Sequence, residues 1–307
     1  MSGSASGARA ALHRWLSRPG VNVAVRAVLK PVAPLLPASL LSRVPFTGTL
    51  HLRLADGRSL ALTSDGRDRM AADLYWGGWR AFEPETFGVW LALLAGARVV
   101  FDVGAYIGLY ALAAAVGAPE REVHAFEPVP ESFARLGENL RANGIASVRA
   151  VRAAVGTREG ETTLHVPDGV WLPSHSSTHE SFRGGARPVA VPAITLDGYA
   201  RARGVARVDL VKIDTEGNED EVLAGAAGLF EASRPLVVCE VLRGLTEERL
   251  NAWMAGRSYR FYRLEAEGPR PMERIEGDAT YRARNFLFAP EERADEALAA
   301  LRGRSMR

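Results

Sequence analysis

Apolar and polar positions along this chain fall into alternating strand-like and helix-like runs. Val99, Val100 and Phe101 form an apolar run that ends in Asp102. A turn bearing Gly104 and Gly108 follows, then a mostly apolar stretch through Val116. Strand, turn and helix in that order open a doubly wound α/β unit. Residues 122–126 read as the next strand. Pro130 opens a helix whose Phe133, Leu136 and Leu140 share one face before Asn143-Gly144 closes it. Residues 148–155, 208–214 and 235–242 predict the third, fourth and fifth strands, with helices over 195–203 and 219–230. Residues 259–264 and 285–289 suit antiparallel closing strands, and 291–302 a terminal helix. Upstream, 1–7 reads as disordered, 8–16 and 21–29 as short helices, and 87–94 as a helix leading into the strand at 98–102. Ala55-Asp56-Gly57 joins strands over 47–54 and 58–63 in a hairpin. Residues 161–166 and 189–194 also alternate like strands. The polar stretch 167–187 between them reads as a mobile cover over an acceptor pocket. The organisation predicted is an N-terminal extension over 1–80 and one α/β domain over 81–307, without repeats or a second core.

The strand tips carry the chemistry. A dinucleotide fingerprint G-x-G-x-x-G would cradle an anionic pyrophosphate. Here the turn reads D-x-G-x-x-x-G, and a carboxylate at Asp102 would repel pyrophosphate and attract a cation. S-adenosylmethionine (SAM), with a sulfonium and an ammonium and no phosphate, fits that charge. Gly104 is expected to let the backbone approach the ligand closely. Glu127 ends the second strand 23 residues after Gly104, about where this fold places the acid that accepts bonds from ribose hydroxyls. A helix N-cap for Asp102 and a solvated strand end for Glu127 are the plainer alternatives.

The chain resembles the FkbM family of SAM-dependent methyltransferases in several blocks that recur in the family's order over roughly 80–290. They are F-E-P-E-T (82–86), F-D-V-G-A-Y-I-G (101–108), H-A-F-E-P-V-P-E-S-F (124–133), A-A-V-G (153–156), V-D-L-V-K-I-D-T-E-G-N-E (208–219) and R-N-F-L-F-A-P (284–290). The resemblance implies a class I methyltransferase (Rossmann-like) fold. It also implies SAM as cofactor and methyl transfer to a hydroxyl oxygen of a sugar, glycan or polyketide. The cofactor residues it marks in this chain are Asp102, Gly104, Tyr106, Gly108, Glu127 and Ala154. Tyr106 departs from the family, which usually carries Asn there.

An aliphatic hydroxyl needs a base, or a metal that acidifies it, before it attacks a methyl group. Asp214 ends the fourth strand, Glu216 lies in the following turn, and Glu240 lies near the end of the fifth. Strands about 4.8 Å apart would let Asp214 and Glu240 face one pocket. Such carboxylates share a proton, hold a divalent ion such as magnesium or manganese (Asp214 and Glu240 being the candidate ligands), or meet a basic partner. Lys212, in a chain that otherwise prefers Arg, is expected to orient one of them, with Glu240 and Asp102 as the natural partners. His175 and His179, in the polar stretch, are the other candidate bases. His124 reads as a core residue.

Composition narrows the classes. Apolar residues make up 47% of 307, and the net charge of +2 speaks against a nucleic-acid partner. The turn after Asp214 also lacks the Pro-Pro-aromatic clamp that holds a flipped base. The one cysteine, Cys239, lies among valines and reads as core. Arginine in place of lysine, with abundant Ala and Gly, suggests a bacterial genome rich in G and C. Residues 21–41 are broken by charges and prolines, which predicts no transmembrane segment and no signal peptide, hence a cytoplasmic protein. Residues 1–55 contain no acid and seven Lys or Arg. They read as a helix packed over the domain, a helix lying on an anionic membrane, or a transit peptide. No feature of the sequence sets an oligomeric state. Two other functions share the architecture: a nicotinamide oxidoreductase, and a methyltransferase fold that serves only as a scaffold.

Overall fold

The computed structural model describes residues 3–167, 169, 171–173, 176–178 and 186–303. The chain starts with helices α1 (Gly3–Leu16), α2 (Pro19–Leu29) and the short α3 (Ala38–Leu41). Helix α1 therefore begins within the stretch that the composition marked as disordered. The hairpin follows as predicted, with β1 (Thr47–Arg53) paired antiparallel to β2 (Ser59–Asp65). Next come α4 (Arg69–Gly77), α5 (Pro84–Leu93), β3 (Val99–Val103), α6 (Leu109–Ala115), β4 (Glu122–Phe126), α7 (Pro130–Ala142) and β5 (Val148–Val151). A side sheet is made by β6 (Ala154–Val155), β7 (Gly160–Pro167) and β8 (Ala186–Ile194). The second half runs α8 (Leu196–Arg203), β9 (Leu210–Ile213), α9 (Glu219–Ala224), α10 (Ala227–Ser233), β10 (Leu236–Glu240) and α11 (Glu247–Met254). It ends with β11 (Tyr259–Glu265), β12 (Gly268–Met272), β13 (Asn285–Pro290) and α12 (Glu291–Gly303).

The main sheet has eight strands in the order β12-β11-β13-β10-β9-β3-β4-β5. Strands β10, β9, β3, β4 and β5 are parallel, and β13, β11 and β12 close the sheet antiparallel. The chain winds outward from β3 to β5 and then returns to β9 on the other side of β3. Strand order reverses between β3 and β9, so a crevice opens at their carboxyl ends. This is the doubly wound sheet with antiparallel closing strands that the sequence predicted.

Alternation along the strands splits the core into two layers. Val100, Leu210, Leu236, Val238 and Leu287 join one hydrophobic cluster with residues of α5, α6 and α12. Phe101, Val211, Ile213, Val237, Cys239 and Phe288 join the other, with residues of α8, α9, α10 and α11. The hairpin shares the first cluster through Leu50, Leu52, Leu60 and Leu62. Its β2 edge is held by α7. The Asn139 Oδ1 accepts from the Thr63 amide at 2.7 Å, and the Asn143 side chain both accepts from and donates to Ala61 at 2.7 Å.

Two predicted elements come out differently, and one strand, β12, was not predicted. The run 148–155 breaks after Val151, and Ala154-Val155 turns away to pair with β8. The run 219–230 is two helices. A Cβ on Gly225 would stand 2.0 Å from the Gly156 carbonyl oxygen, so the backbone of the β6 turn passes through the line of the expected helix. Strand β12 carries two prolines, which the sheet tolerates because β12 is its outermost strand.

Candidate active site

A cavity of about 320 Å³ opens at the switch between β3 and β9. Of the residues predicted to bind the cofactor, Gly104, Tyr106, Glu127 and Ala154 line it; of those predicted to act on the acceptor, Asp214, Glu216 and Glu240 line it. His175 and His179 lie outside the described residues, as does most of the stretch predicted to cover the pocket.

Two glycines carry packing roles, Gly104 in addition to lining the cavity and Gly108 without lining it. Gly104 has φ +82°, and a Cβ there would stand 1.7 Å from the Asp214 carbonyl oxygen. Its small size serves the packing of one strand end against another. Gly108 has φ +92°, and a Cβ there would meet Leu136 at 2.3 Å. It caps α6 and packs on α7, and it does not line the cavity.

Asp102 likewise stands behind the lining. Strand alternation puts it on the face of Val100, and its neighbour across β9 is Lys212. It is buried, and neither carboxylate oxygen has a hydrogen-bond partner among the described residues. Burial pushes its pKa up to about 6, opposed by the Lys212 ammonium. The direct ligand contact expected of Asp102 is therefore replaced by a charge one layer beneath the site.

Glu127 faces the cavity and is shaped by two amides. Oε2 accepts from the Tyr106 amide at 2.7 Å and Oε1 from the Val129 amide at 2.8 Å. Each oxygen keeps a second lone pair. Burial outweighs these bonds and raises the pKa to about 7. Tyr106 has φ +50°, a conformation that Asn adopts more readily than Tyr. The Asn usual in the resembling family thus answers a backbone need, which Tyr106 meets at some strain. Its hydroxyl bonds the Asp68 Oδ1 at 3.3 Å and the Leu172 carbonyl at 3.4 Å.

A charged group fills the other end. The Lys212 Nζ donates to the Asp214 Oδ2 at 2.6 Å and lies 4.4 Å from the centre of the Tyr110 ring. The Tyr110 hydroxyl donates to the Glu83 Oε2 at 2.9 Å. Arg284 stands between acids, 3.0 Å from the Glu240 Oε1 and 3.7 Å from the Glu83 Oε1. Lys212 therefore pairs with Asp214, two residues along its own strand, and not with Glu240 as the strand order suggested.

These contacts pull the acids apart. Burial raises Asp214, but the stronger combined pull of Lys212, a hydrogen bond from Glu240 and Arg284 leaves it below the usual range. Glu240 is driven up, first by burial and then by the charges of Asp214, Glu216 and Glu219. Glu83 is raised by burial against the pull of Lys212. Of this coupled pair, Glu240 is therefore the carboxyl more readily protonated and Asp214 the one more readily ionised. One oxygen each from Asp214, Glu216 and Glu240 lies within 4.8 Å of the others, so the three could gather around a small cation.

The turn that carries Glu216 is fixed from below. The Glu219 Oε1 accepts from the Thr215 amide and hydroxyl at 3.0 Å and from the Gly217 amide at 3.1 Å. Glu216 itself has φ +55°. Asn218 donates to the Ser177 hydroxyl at 2.8 Å and accepts from the Thr178 hydroxyl at 2.7 Å, which ties the segment after β7 to the site.

Sequence reasoning gave no role to Glu83, Tyr110, Asn218 or Arg284, yet all four line the cavity. Three of them lie inside blocks quoted above for the resemblance. Glu83 (φ +41°) precedes Pro84 in F-E-P-E-T, Asn218 stands in T-E-G-N-E, and Arg284 opens R-N-F-L-F-A-P. A polar side chain inside such a block was the available signal.

Residues 102–261 match the methyltransferase FkbM domain family. The 31-O-demethyl-FK506 methyltransferase FkbM of Streptomyces tacrolimicus is 32% identical over 153 residues, covering 41% of this chain and 58% of that protein. The hexuronic acid methyltransferase AglP of Haloferax volcanii is 30% identical over 148 residues, covering 48% and 57%. The chain thus spans little more than half the length of these relatives. A crystal structure of a methyltransferase FkbM from Methylobacillus flagellatus KT aligns with a TM-score of 0.41 at 18% identity, over 72% of this chain and 52% of that one.

Proposed function

Because the chain belongs to the methyltransferase FkbM domain family, we propose that the cavity binds SAM and directs its methyl group to a hydroxyl of a small molecule or glycan. The observation that carries this reading is the charge at the switch point. Four carboxyls besides Glu240, which holds a proton on this reading (Glu83, Asp102, Asp214 and Glu216), surround two cations, Lys212 and Arg284. A site with that excess of acid favours a cationic ligand and disfavours a pyrophosphate, which sets the nicotinamide oxidoreductase reading aside. It also makes an inert scaffold the weaker alternative, since buried acids are costly to keep without a use.

The residues divide the work. The free lone pairs of Glu127 take the ribose hydroxyls, and Tyr106 and Ala154 line that end. When bound, SAM supplies an electrophilic methyl on sulfur. Asp214, kept ionised by Lys212, accepts the proton of the acceptor hydroxyl as the oxygen–carbon bond forms and the carbon–sulfur bond breaks. Glu240, protonated and braced by Arg284, orients the acceptor oxygen. Glu216 closes the floor. A divalent ion on Asp214 and Glu240 would have to displace cations already bonded to them, so we favour the protein base over a metal. The catalytic unit on this reading is 81–307, working in the cytoplasm, with 1–80 as its extension.

Calorimetry with SAM tests the proposal first. Micromolar binding that is lost in Glu127→Ala supports it; no heat with SAM, or binding of NAD instead, ends it. Methyl transfer from labelled SAM to hydroxylated sugars then reads the acceptor class.

A further inference from the structure

Helix α2 is mounted with its polar side inward. Asn22, fully buried, donates to the Pro45 carbonyl at 2.6 Å and the Leu16 carbonyl at 3.0 Å, and its Oδ1 accepts from the Thr47 amide and hydroxyl at 3.1 and 3.0 Å. Arg26 reaches the same way. Its guanidinium lies 4.4 Å from the centre of the Phe46 ring and 4.8 Å from that of Tyr75, and it donates to the Thr47 carbonyl at 3.1 Å. The face turned to solvent carries Gly20, Val23, Ala24, Ala27 and Val28. An ordinary surface helix has the opposite arrangement.

The neighbouring segments also leave large apolar side chains exposed. Of the eight large hydrophobic side chains left exposed among the described residues, seven lie between Leu12 and Leu40: Leu12, Trp15, Val23, Val28, Val32, Leu35 and Leu40. Val28 keeps 74% of its surface exposed and Leu35 84%. Such clustering marks an interaction surface, since single exposed apolar residues are scattered on ordinary proteins. The charge within residues 1–55 has one sign. Arg14, Arg18, Lys30, Arg43 and Arg53 are exposed, and no Asp or Glu occurs in residues 1–55.

We propose that this N-terminal face docks onto an anionic lipid bilayer, with Trp15, Val23, Val28 and Leu35 entering the interface and Arg14, Arg18 and Lys30 meeting the headgroups. Apolar area combined with cations is what an interfacial helix uses, and neither contribution alone gives stable attachment. A protein partner would need acids to answer these arginines, and a second copy of the face offers none. None of the described helices is long and apolar enough to cross a membrane, so the contact is peripheral. Trp171 packs edge-on against the buried His13 at 4.3 Å, and Pro173, two residues on, lines the cavity, so the inner side of α1 rests on a segment that reaches the site.

Co-sedimentation of the full chain with vesicles of phosphatidylcholine, with and without phosphatidylglycerol, tests this. The protein should pellet with the anionic vesicles only, and less as salt rises. Val23→Glu/Val28→Glu should lower the bound fraction on the order of tenfold, with an unchanged melting temperature because both side chains are exposed. Arg14→Gln/Arg18→Gln/Lys30→Gln should weaken binding and flatten its salt dependence. Three results would overturn the proposal. One is equal pelleting with both vesicle types. Another is full binding by Val23→Glu/Val28→Glu. The third is a dimer in sedimentation velocity that those substitutions dissolve while vesicles bind nothing.

Discussion

The carbonyl oxygen of Asp214 occupies the place where a side chain on Gly104 would begin, 1.7 Å from the position of a Cβ. The two strand ends that carry the cofactor loop and the acidic floor are thus in backbone contact. Gly104→Ala combines that clash with a positive φ and should cost about 3 kcal/mol of stability. Thermal unfolding measures it. A variant that melts with the parent would show that the loop relaxes away and that the contact is not required.

Glu127 makes stability depend on pH. Its carboxyl is raised from 4.5 to about 7, and that of Asp102 from 3.8 to about 6, both by burial. Between about pH 4 and pH 7 the folded protein therefore holds protons that the unfolded chain has released. Stability should fall as pH rises through that window. The melting temperature of the ligand-free protein should be higher at pH 5.5 than at pH 8, and Glu127→Gln should flatten the slope. An unchanged slope in Glu127→Gln would assign the effect elsewhere.

Asp214 is the base in this account, and Lys212 sets its pKa. Asp214→Asn should lower turnover about 10²-fold or more while SAM still binds. Lys212→Met removes the ammonium that keeps Asp214 ionised, so the acid limb of the turnover profile should move to higher pH. If the limb stays in place in a folded Lys212→Met, Asp214 is not the titrating base.

Arg284 does at Glu240 what a metal would do. Chelation should leave turnover unaltered, and Arg284→Met should reduce it by roughly tenfold or more. Loss of activity with a chelator, restored by magnesium or manganese, would replace the arginine account with a metal site on Asp214 and Glu240.

Much of the frame was legible because it is written in local pattern. Ala55-Asp56-Gly57 marks a turn wherever it lies, and the apolar run into Asp102 marks a buried parallel strand. What was missed depends on distant contacts. Nothing in residues 219–230 announces that the Gly156 carbonyl will cross at Gly225, and nothing in 148–155 announces that Ala154 will find β8. Arg284 and Glu83 come together from opposite ends of the chain around Lys212. Glu83 is placed by its own left-handed backbone before Pro84, and Arg284 by the bond its carbonyl accepts from the Val241 amide just ahead of an antiparallel strand. Asp102 was legible as an acid at a strand tip, yet the side to which it points follows from the pleat of β3 between its neighbours.

Tyr106 gives its amide to Glu127 and its hydroxyl to Asp68 and the Leu172 carbonyl. Its two ends share one backbone, so a ligand that favours one placement of Tyr106 favours it at both. Reciprocity of binding free energies then makes the segment 171–173 as much a reporter of what Glu127 holds as Glu127 is of where that segment lies. An asparagine at this position would keep the amide bond and lose the reach, leaving the two ends deaf to one another.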